Sequence, residues 1–177
     1  NFPNKFKDKI SIIPTLLRRE FYNMMKNDII NKNVNLLIIG GSQGAKSFDV
    51  MVQNSIIHLS QKYKIKIYQQ THQKNFVNLR LFYQANEIQY ELFDFNEDIS
   101  VLMNKVNICL TRAGASTLAE LVFLNIPHLV VPLPTAKDNH QFENATFYNQ
   151  QGCNWILNQN EINDNNLSNK LFDIILF

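Results

Sequence analysis

Short apolar runs alternate with stretches of helical spacing along most of the chain. The run "VNLLIIG" (34–40) is continuously apolar and closed by glycine, the pattern of a strand buried on both faces. Residues 45–63 then place Phe48, Val52 and Ile56 on one face of a helix. The same reading gives a strand from Ile65 ("IKIYQQT"), a helix over 73–86, a strand from Ile88 ("IQYELFDF") and a short helix over 97–105. A strand from Val106 ("VNICLTRAG") runs into a glycine turn, and a helix over 116–124 and a strand over 127–134 follow. A helix over 139–152 closes at Gly152, placed as a C-cap. "CNWIL" (153–157) is a last strand and 167–176 a closing helix. Before Val34 the chain is less regular and reads as a connector with one helix around Leu16–Ile29.

Strand–helix alternation with short connections is the signature of a parallel sheet covered by helices on both faces, so the fold class is a Rossmann-like α/β domain. Ligands of such sheets bind beyond the carboxyl ends of the strands. That directs attention to the loops at 40–45, 95–98, 111–116 and 132–140.

A length of 177 residues fits one ordinary domain, and 45% hydrophobic residues supply its core. A net charge of +2 without a basic run argues against nucleic acid as the main partner. No apolar run approaches the ~20 residues that span a bilayer. Cys109 and Cys153 each sit in an apolar, strand-like run without close His or Cys neighbours. They read as reduced core residues of a cytosolic protein and not as a metal site.

Three loops carry candidate chemistry. In "IIGGSQGAKSF", two glycines end a strand and Gly44 opens a helix, so backbone N–H groups and a helix start converge, with the Ser42 hydroxyl beside them. This suits a phosphate, or is simply a tight strand-to-helix turn. In "TRAGASTLAE", Gly114 makes a similar turn and the amides of Ala115, Ser116 and Thr117 head the helix. Glu120, further along, can accept two hydrogen bonds from a cis-diol, or is a solvated acid favoured by the helix dipole. In "PLPTAKDNHQFENA", Asp138, Asn139, His140, Gln141 and Asn144 cluster at a helix start. Asp138 alone would serve as an N-cap. Uncharged amides and an imidazole facing one crevice suit a neutral polyhydroxy ligand such as a sugar. His58, His72 and His128 read as structural, and "FYNMMK" as core or interface. There is no nucleophile elbow, metal cluster or Asp-x-Asp pair to hold a divalent cation on a pyrophosphate.

"IIGGSQGA", "TRAGASTLAEL" and "VPLPTAKDNHQFENA", in this order and spacing, resemble the C-terminal half of the MurG-type N-acetylglucosaminyltransferases of peptidoglycan synthesis. The resemblance runs from about Arg18 to the end of the chain. It implies the C-terminal, sugar-nucleotide-binding domain of a GT-B fold, with residues 1–33 a connector from an N-terminal domain and 34–177 the UDP-GlcNAc-binding domain, truncated at its C-terminus. It implies that Gly41, Ser42, Gln43 and Gly44 contact the phosphates. Gly114, Ala115, Ser116 and Thr117 would hold phosphate and sugar oxygens, and Glu120 the ribose diol. His140, Gln141 and Asn144 would face the GlcNAc, and backbone near Asn96, after Phe95, would read the uracil edge. Arg18 matches an arginine near the donor site. The family's Asn-Pro ahead of that arginine reads Thr15-Leu16-Leu17 here, and Asn96 stands where an apolar residue is usual.

The activity implied is inverting transfer of GlcNAc from UDP-GlcNAc to lipid-linked MurNAc-pentapeptide, without metal or other cofactor. The catalytic base, the acceptor site and docking to the cytoplasmic face of the membrane would lie in the N-terminal domain. A non-catalytic sugar-nucleotide-binding subunit of a split GT-B enzyme, or a GT-B enzyme acting on another lipid, share the same resemblance.

Overall fold

A computed structural model describes residues 15–24 and 33–177, without the side chains of residues 42–45 and 164. Among the described residues the elements are β1 (Asn33–Ile39), α1 (Gly41–Met51), α2 (Gln53–Ser60), β2 (Lys64–Gln70), α3 (Phe76–Ala85), β3 (Gln89–Phe93), α4 (Ile99–Met103), β4 (Ile108–Thr111), α5 (Ala115–Phe123), β5 (His128–Val130), α6 (His140–Asn149), β6 (Trp155–Ile156) and α7 (Asp164–Leu176). The strands form one six-stranded sheet in the order β3-β2-β1-β4-β5-β6, and every pairing is parallel. That is the doubly wound order in which the chain starts at the centre and builds outward in both directions.

The period of two along β1 divides the interior. Leu36 and Ile38 join Phe48, Ile56, Leu59, Tyr83, Leu167 and Leu171 in a core beneath α1, α2, α3 and α7. Leu37 and Ile39 point the other way, to Leu102, Met103, Leu121, Leu124 and the fully buried Phe21. Burial on both faces is what a parallel strand demands, and it explains why β1 lacks polar alternation.

One buried polar knot ties α1 to the sheet. The Asp49 carboxylate accepts from Gln69 Nε2 (2.9 Å), Thr71 Oγ1 (2.7 Å) and Asn75 Nδ2 (2.6 Å), and the Tyr83 hydroxyl donates to Gln69 Oε1. Three neutral donors satisfy a carboxylate that is 6% exposed, so it needs no cation.

Several sequence expectations are corrected. The single helix over 45–63 is two, because the chain breaks step at Val52, and α1 begins earlier, at Gly41. The strand over 127–134 is only β5: prolines at 132 and 134 lack the N–H that a further ladder would need. The N-terminal helix does not extend through Met24. Arg18 and Met24 are extended, and only a 3-10 turn, Arg19–Asn23, lies between them; the rest of that helix, with Met25 and Lys26 of the "FYNMMK" patch, lies outside the described residues. Cys109 is fully buried, whereas Cys153 is half-buried in the turn ahead of β6 and is not core; both are free thiols.

His128 is fully buried, and its Nδ1 lies 2.8 Å from the Ile126 carbonyl. A carbonyl only accepts, so Nδ1 carries the proton, and Nε2 is buried without a partner. Burial pushes the imidazole down from 6.5 to about 4. The unfolded chain therefore binds the extra proton first, and this contribution to stability is complete above about pH 6.5 and lost as pH falls towards 4. We expect urea unfolding of His128→Leu to show a flatter acid limb across that window, by roughly 3 kcal/mol in total. Parallel acid limbs in the two proteins would show that His128 is not the titrating group.

Candidate functional site

The direction of chain winding reverses between β1 and β4. The loops leaving their carboxyl ends therefore diverge, and a cavity of about 370 Å³ opens between them. Its first wall is the turn after β1. Gly41 has φ +63°, a left-handed value that costs a residue with a Cβ, although a Cβ there would meet no atom within 4 Å. The glycine is needed for its backbone and not for space. The amides of Gly40 (3.3 Å) and Gly41 (3.0 Å) both donate to Gln70 Oε1, and Gln70 Nε2 donates to the Asp94 carbonyl (3.1 Å). Gln70 thus staples the ends of β1 and β3 together.

The second wall is the turn after β4. Helix α5 starts at Gly114 without a side-chain cap, so its first amides are open. This turn is braced from α6. Gln141 Oε1 accepts from the amides of Ala113 (3.3 Å) and Leu133 (2.9 Å), and Asn144 Nδ2 donates to the Ala113 carbonyl (3.1 Å). Two backbone N–H groups sharing one Gln141 atom fix that atom as oxygen and leave the side chain's NH2 for the cavity it lines. Ahead of α6, Asp138 (φ 51°) and Asn139 (φ 55°) are both left-handed, and neither caps the helix. Asp and Asn are among the side chains that tolerate this conformation.

Glu120, on α5, reaches the cavity from below and is only 2% exposed. It is not a solvated first-turn acid. Arg18 holds it in a bidentate pair, Nε to Oε1 at 2.8 Å and Nη2 to Oε2 at 3.0 Å. The pairing raises Arg18 above its ordinary value, chiefly through the hydrogen bond to Glu120. Each carboxylate oxygen spends one acceptor site on Arg18, and a carboxylate has about four, so two hydroxyls can still be received.

Of the residues singled out in the sequence, Arg18, Gly41, Asn96, Gly114, Thr117, Glu120 and Gln141 line this one cavity. Asn96 Oδ1 accepts the Asp98 amide at 2.8 Å. Ala115 and Ser116 are exposed at the head of α5, outside the cavity lining. Asn144 braces the Ala113 turn, and His140 is exposed, its Nδ1 2.6 Å from the Lys137 carbonyl; neither lines the cavity. The backbone of Ser42, Gln43 and Gly44 forms the first turn of α1, but their side-chain positions lie outside those described.

The lining also includes Gln70, Phe93 and Arg112, which sequence reasoning missed. Gln70 and Phe93 end β2 and β3, and Arg112 follows β4. Applying the carboxyl-end rule to the last residues of β2 and β3 would have found the first two; Arg112 lay within the 111–116 loop that the rule had already marked. Among the described residues no cluster of His, Cys, Asp or Glu could hold a metal ion, and no helix is long and apolar enough to cross a membrane.

Comparison with known proteins places this geometry. The Glycosyltransferase family 28 C-terminal domain matches residues 35–177. A curated relative from Pelagibacter ubique (strain HTCC1062), a UDP-N-acetylglucosamine--N-acetylmuramyl-(pentapeptide) pyrophosphoryl-undecaprenol N-acetylglucosamine transferase, is 58% identical over 98% of this chain and 49% of its own length. A protein of the same description from Rickettsia canadensis (strain McKiel) is 35% identical over 99% of this chain and 51% of its own. The crystal structure of Acinetobacter baumannii MurG matches with a TM-score of 0.76 at 26% identity, covering 98% of this chain and 50% of that one. The chain spans about half the length of the curated relatives it matches.

The Arg18–Glu120 pair joins residues 102 apart in sequence, and Arg18 is itself 44% exposed on its side chain. A thermal double-mutant cycle with Arg18→Ala and Glu120→Gln is expected to give a coupling of about 1–2 kcal/mol, at the lower end for a charged hydrogen bond because of that exposure. Additive single effects would mean the pair does not hold Glu120 in solution.

Proposed function

The chain belongs to the family of Glycosyltransferase family 28 C-terminal domains, and on that premise we propose that it is the sugar-nucleotide-binding part of an inverting N-acetylglucosaminyltransferase. In this reading residues 34–177 are the binding domain and 1–33 its connector. The whole enzyme moves GlcNAc from UDP-GlcNAc to the lipid-linked MurNAc-pentapeptide, turning lipid I into lipid II in peptidoglycan synthesis.

The observation that carries the reading is the buried Glu120, aimed into a cavity between two glycine turns at the switch point of the sheet. Glu120 takes the ribose diol. The diphosphate lies against the amides at the starts of α1 and α5, with no divalent metal required. A helix start contributes about 0.3–1 kcal/mol where exposed and up to ~2 where partly buried, so several such groups must act together. Backbone at Asn96, beside the exposed Phe95, meets the uracil. The Gln141 NH2 meets the sugar.

Among the described residues, Glu120 is the only carboxylate lining the cavity and is engaged by Arg18, and no histidine lines it. The base that deprotonates the acceptor hydroxyl is therefore assigned to the part of the relatives that this chain does not cover. That part would also bind the acceptor and attach to the cytoplasmic face of the membrane.

Calorimetric titration of the purified chain with UDP-GlcNAc, in the absence of divalent cations, tests the reading. Binding is expected, and Glu120→Ala should weaken it at least about tenfold, or ~1.4 kcal/mol. A folded wild-type chain that ignores UDP-GlcNAc, or a Glu120→Ala variant that binds as well as wild type, would overturn it.

A further inference from the structure

Arg112 is the first residue after β4, and its amide still pairs with the Ile39 carbonyl at 3.2 Å. Its side chain turns inward and the residue is only 3% exposed, yet it contributes to the cavity lining. The guanidinium lies over the Phe48 ring, 4.6 Å from its centroid. Nη1 donates to the carbonyls of Val131 (3.0 Å) and Pro132 (3.4 Å), and Nη2 to Gln159 Oε1 (2.7 Å). The Nε–H is buried with no partner. Every one of these acceptors is neutral.

A buried cation is ordinarily paired with a carboxylate, because removing it from water is costly. The ion pairs among the described residues are Arg18–Glu20, Arg18–Glu120 and Lys66–Glu91, and none involves Arg112. Burial pushes Arg112 down to about 10, so it stays charged at neutral pH while resisting that charge. Among the described residues, the charged side chains lining the cavity are Arg18, Glu120 and Arg112. Arg18 and Glu120 neutralise one another, which leaves Arg112 as the cavity's net charge. The open amides at the start of α5 add partial positive charge of the same sign.

We infer that Arg112 is the fixed counter-charge of the cavity and sets its preference for a ligand carrying phosphate charge, here the diphosphate of a nucleoside diphosphate. The inference rests on the sugar-nucleotide reading above and names the residue behind its anion selectivity. Arg112 is a positioning residue that acts through its charge. Its Nη1 and Nη2 groups donate to carbonyls and an amide oxygen, which hold the guanidinium in place before any ligand arrives. A fixed charge in a poorly hydrated floor acts more strongly on a nearby anion than the same charge on a mobile surface side chain. The neutral remainder of the lining is left to recognise hydroxyl groups and a base.

The test compares uridine, UMP and UDP on the full 177-residue chain, as wild type and as Arg112→Met, Arg112→Gln and Arg112→Lys, by calorimetric titration without divalent cations. The wild type is expected to bind more tightly with each added phosphate. In both neutral variants uridine affinity should stay within about twofold of wild type, while the UDP-to-uridine affinity ratio falls at least about tenfold. Arg112→Lys, which keeps the charge and loses the fork, should retain most of the ratio. A purely structural arginine would lower uridine and UDP together and leave the ratio alone. Should the methionine variant not fold, the glutamine variant, which keeps hydrogen-bonding capacity, gives the same reading. A wild-type ratio in a folded neutral variant, or loss of the ratio in Arg112→Lys as well, would overturn the inference while leaving the sugar-nucleotide reading intact. A wild-type chain that binds neither uridine nor UDP-GlcNAc would overturn both.

Discussion

The parallel register of β1 on β4, with Leu36 beside Ile108 and Ile39 beside Thr111, decides where everything else goes. Both strands end level with one another, so the turn at Gly40–Gly41 and the turn at Arg112–Gly114 stand side by side. Because β2 and β3 are added on one side of this pair and β5 and β6 on the other, the two crossovers leave in opposite directions and cannot fill the space between the turns. The cavity follows from topology before any polar side chain is considered. A one-residue slip of β1 against β4 would exchange Leu37 and Ile39 for Leu36 and Ile38 between the two cores, which is why the register is strongly specified.

A cavity walled by turns has loose walls unless something braces them. Here the braces are amide side chains from neighbouring elements: Gln70 on the amides of Gly40 and Gly41, Gln141 on the amides of Ala113 and Leu133, and Asn144 on the Ala113 carbonyl. Amides suit this work because each offers a donor and an acceptor without adding charge. The polar loop at 132–144 therefore has two tasks. Gln141 presents its remaining NH2 to the cavity while its oxygen fixes the walls, and Asn144 serves the walls alone. The opposing charges of Arg18 and Glu120 meet in one bidentate pair, so charge enters the site at few points and in fixed positions.

The alternation of periods was enough to place every strand of the sheet and its parallel winding, because burial on both faces imposes a continuous apolar run that few other structures need. The glycine turns were legible for the same local reason. What escaped was long-range or side-chain-directed. Glu120 read equally well as a surface acid, since its burial depends on Arg18, 102 residues earlier. Arg112 passed as a turn residue in "TRAG", because sequence shows neither that the side chain turns inward nor that no carboxylate awaits it. Cys153 looked like core because "CNWIL" is apolar around it, but β6 is only two residues long at the sheet edge. In the described part of the Leu16–Ile29 pattern, residues 16–24, the chain makes only a 3-10 turn around the buried Phe21, and one buried aromatic cannot set a period.

Arg18 belongs to the segment that precedes β1, whereas Glu120 belongs to the helix under the cavity. Their pair makes the position of that segment part of the site's free energy. Arg18 also lies 5.1 Å from the centroid of the Phe21 ring, and Phe21 is fully buried against Leu121 and Leu124, so the segment is docked by apolar contact as well as by charge. A ligand that shares Glu120 with Arg18 leaves this docking intact, and one that displaces Arg18 weakens it. Binding free energies are reciprocal, so whatever strengthens the docking of residues 15–24 must favour the first kind of ligand over the second by the same factor. A carboxylate with acceptor sites to spare suits the first kind: hydroxyl groups can join Arg18 on Glu120, whereas a competing cation would have to replace it.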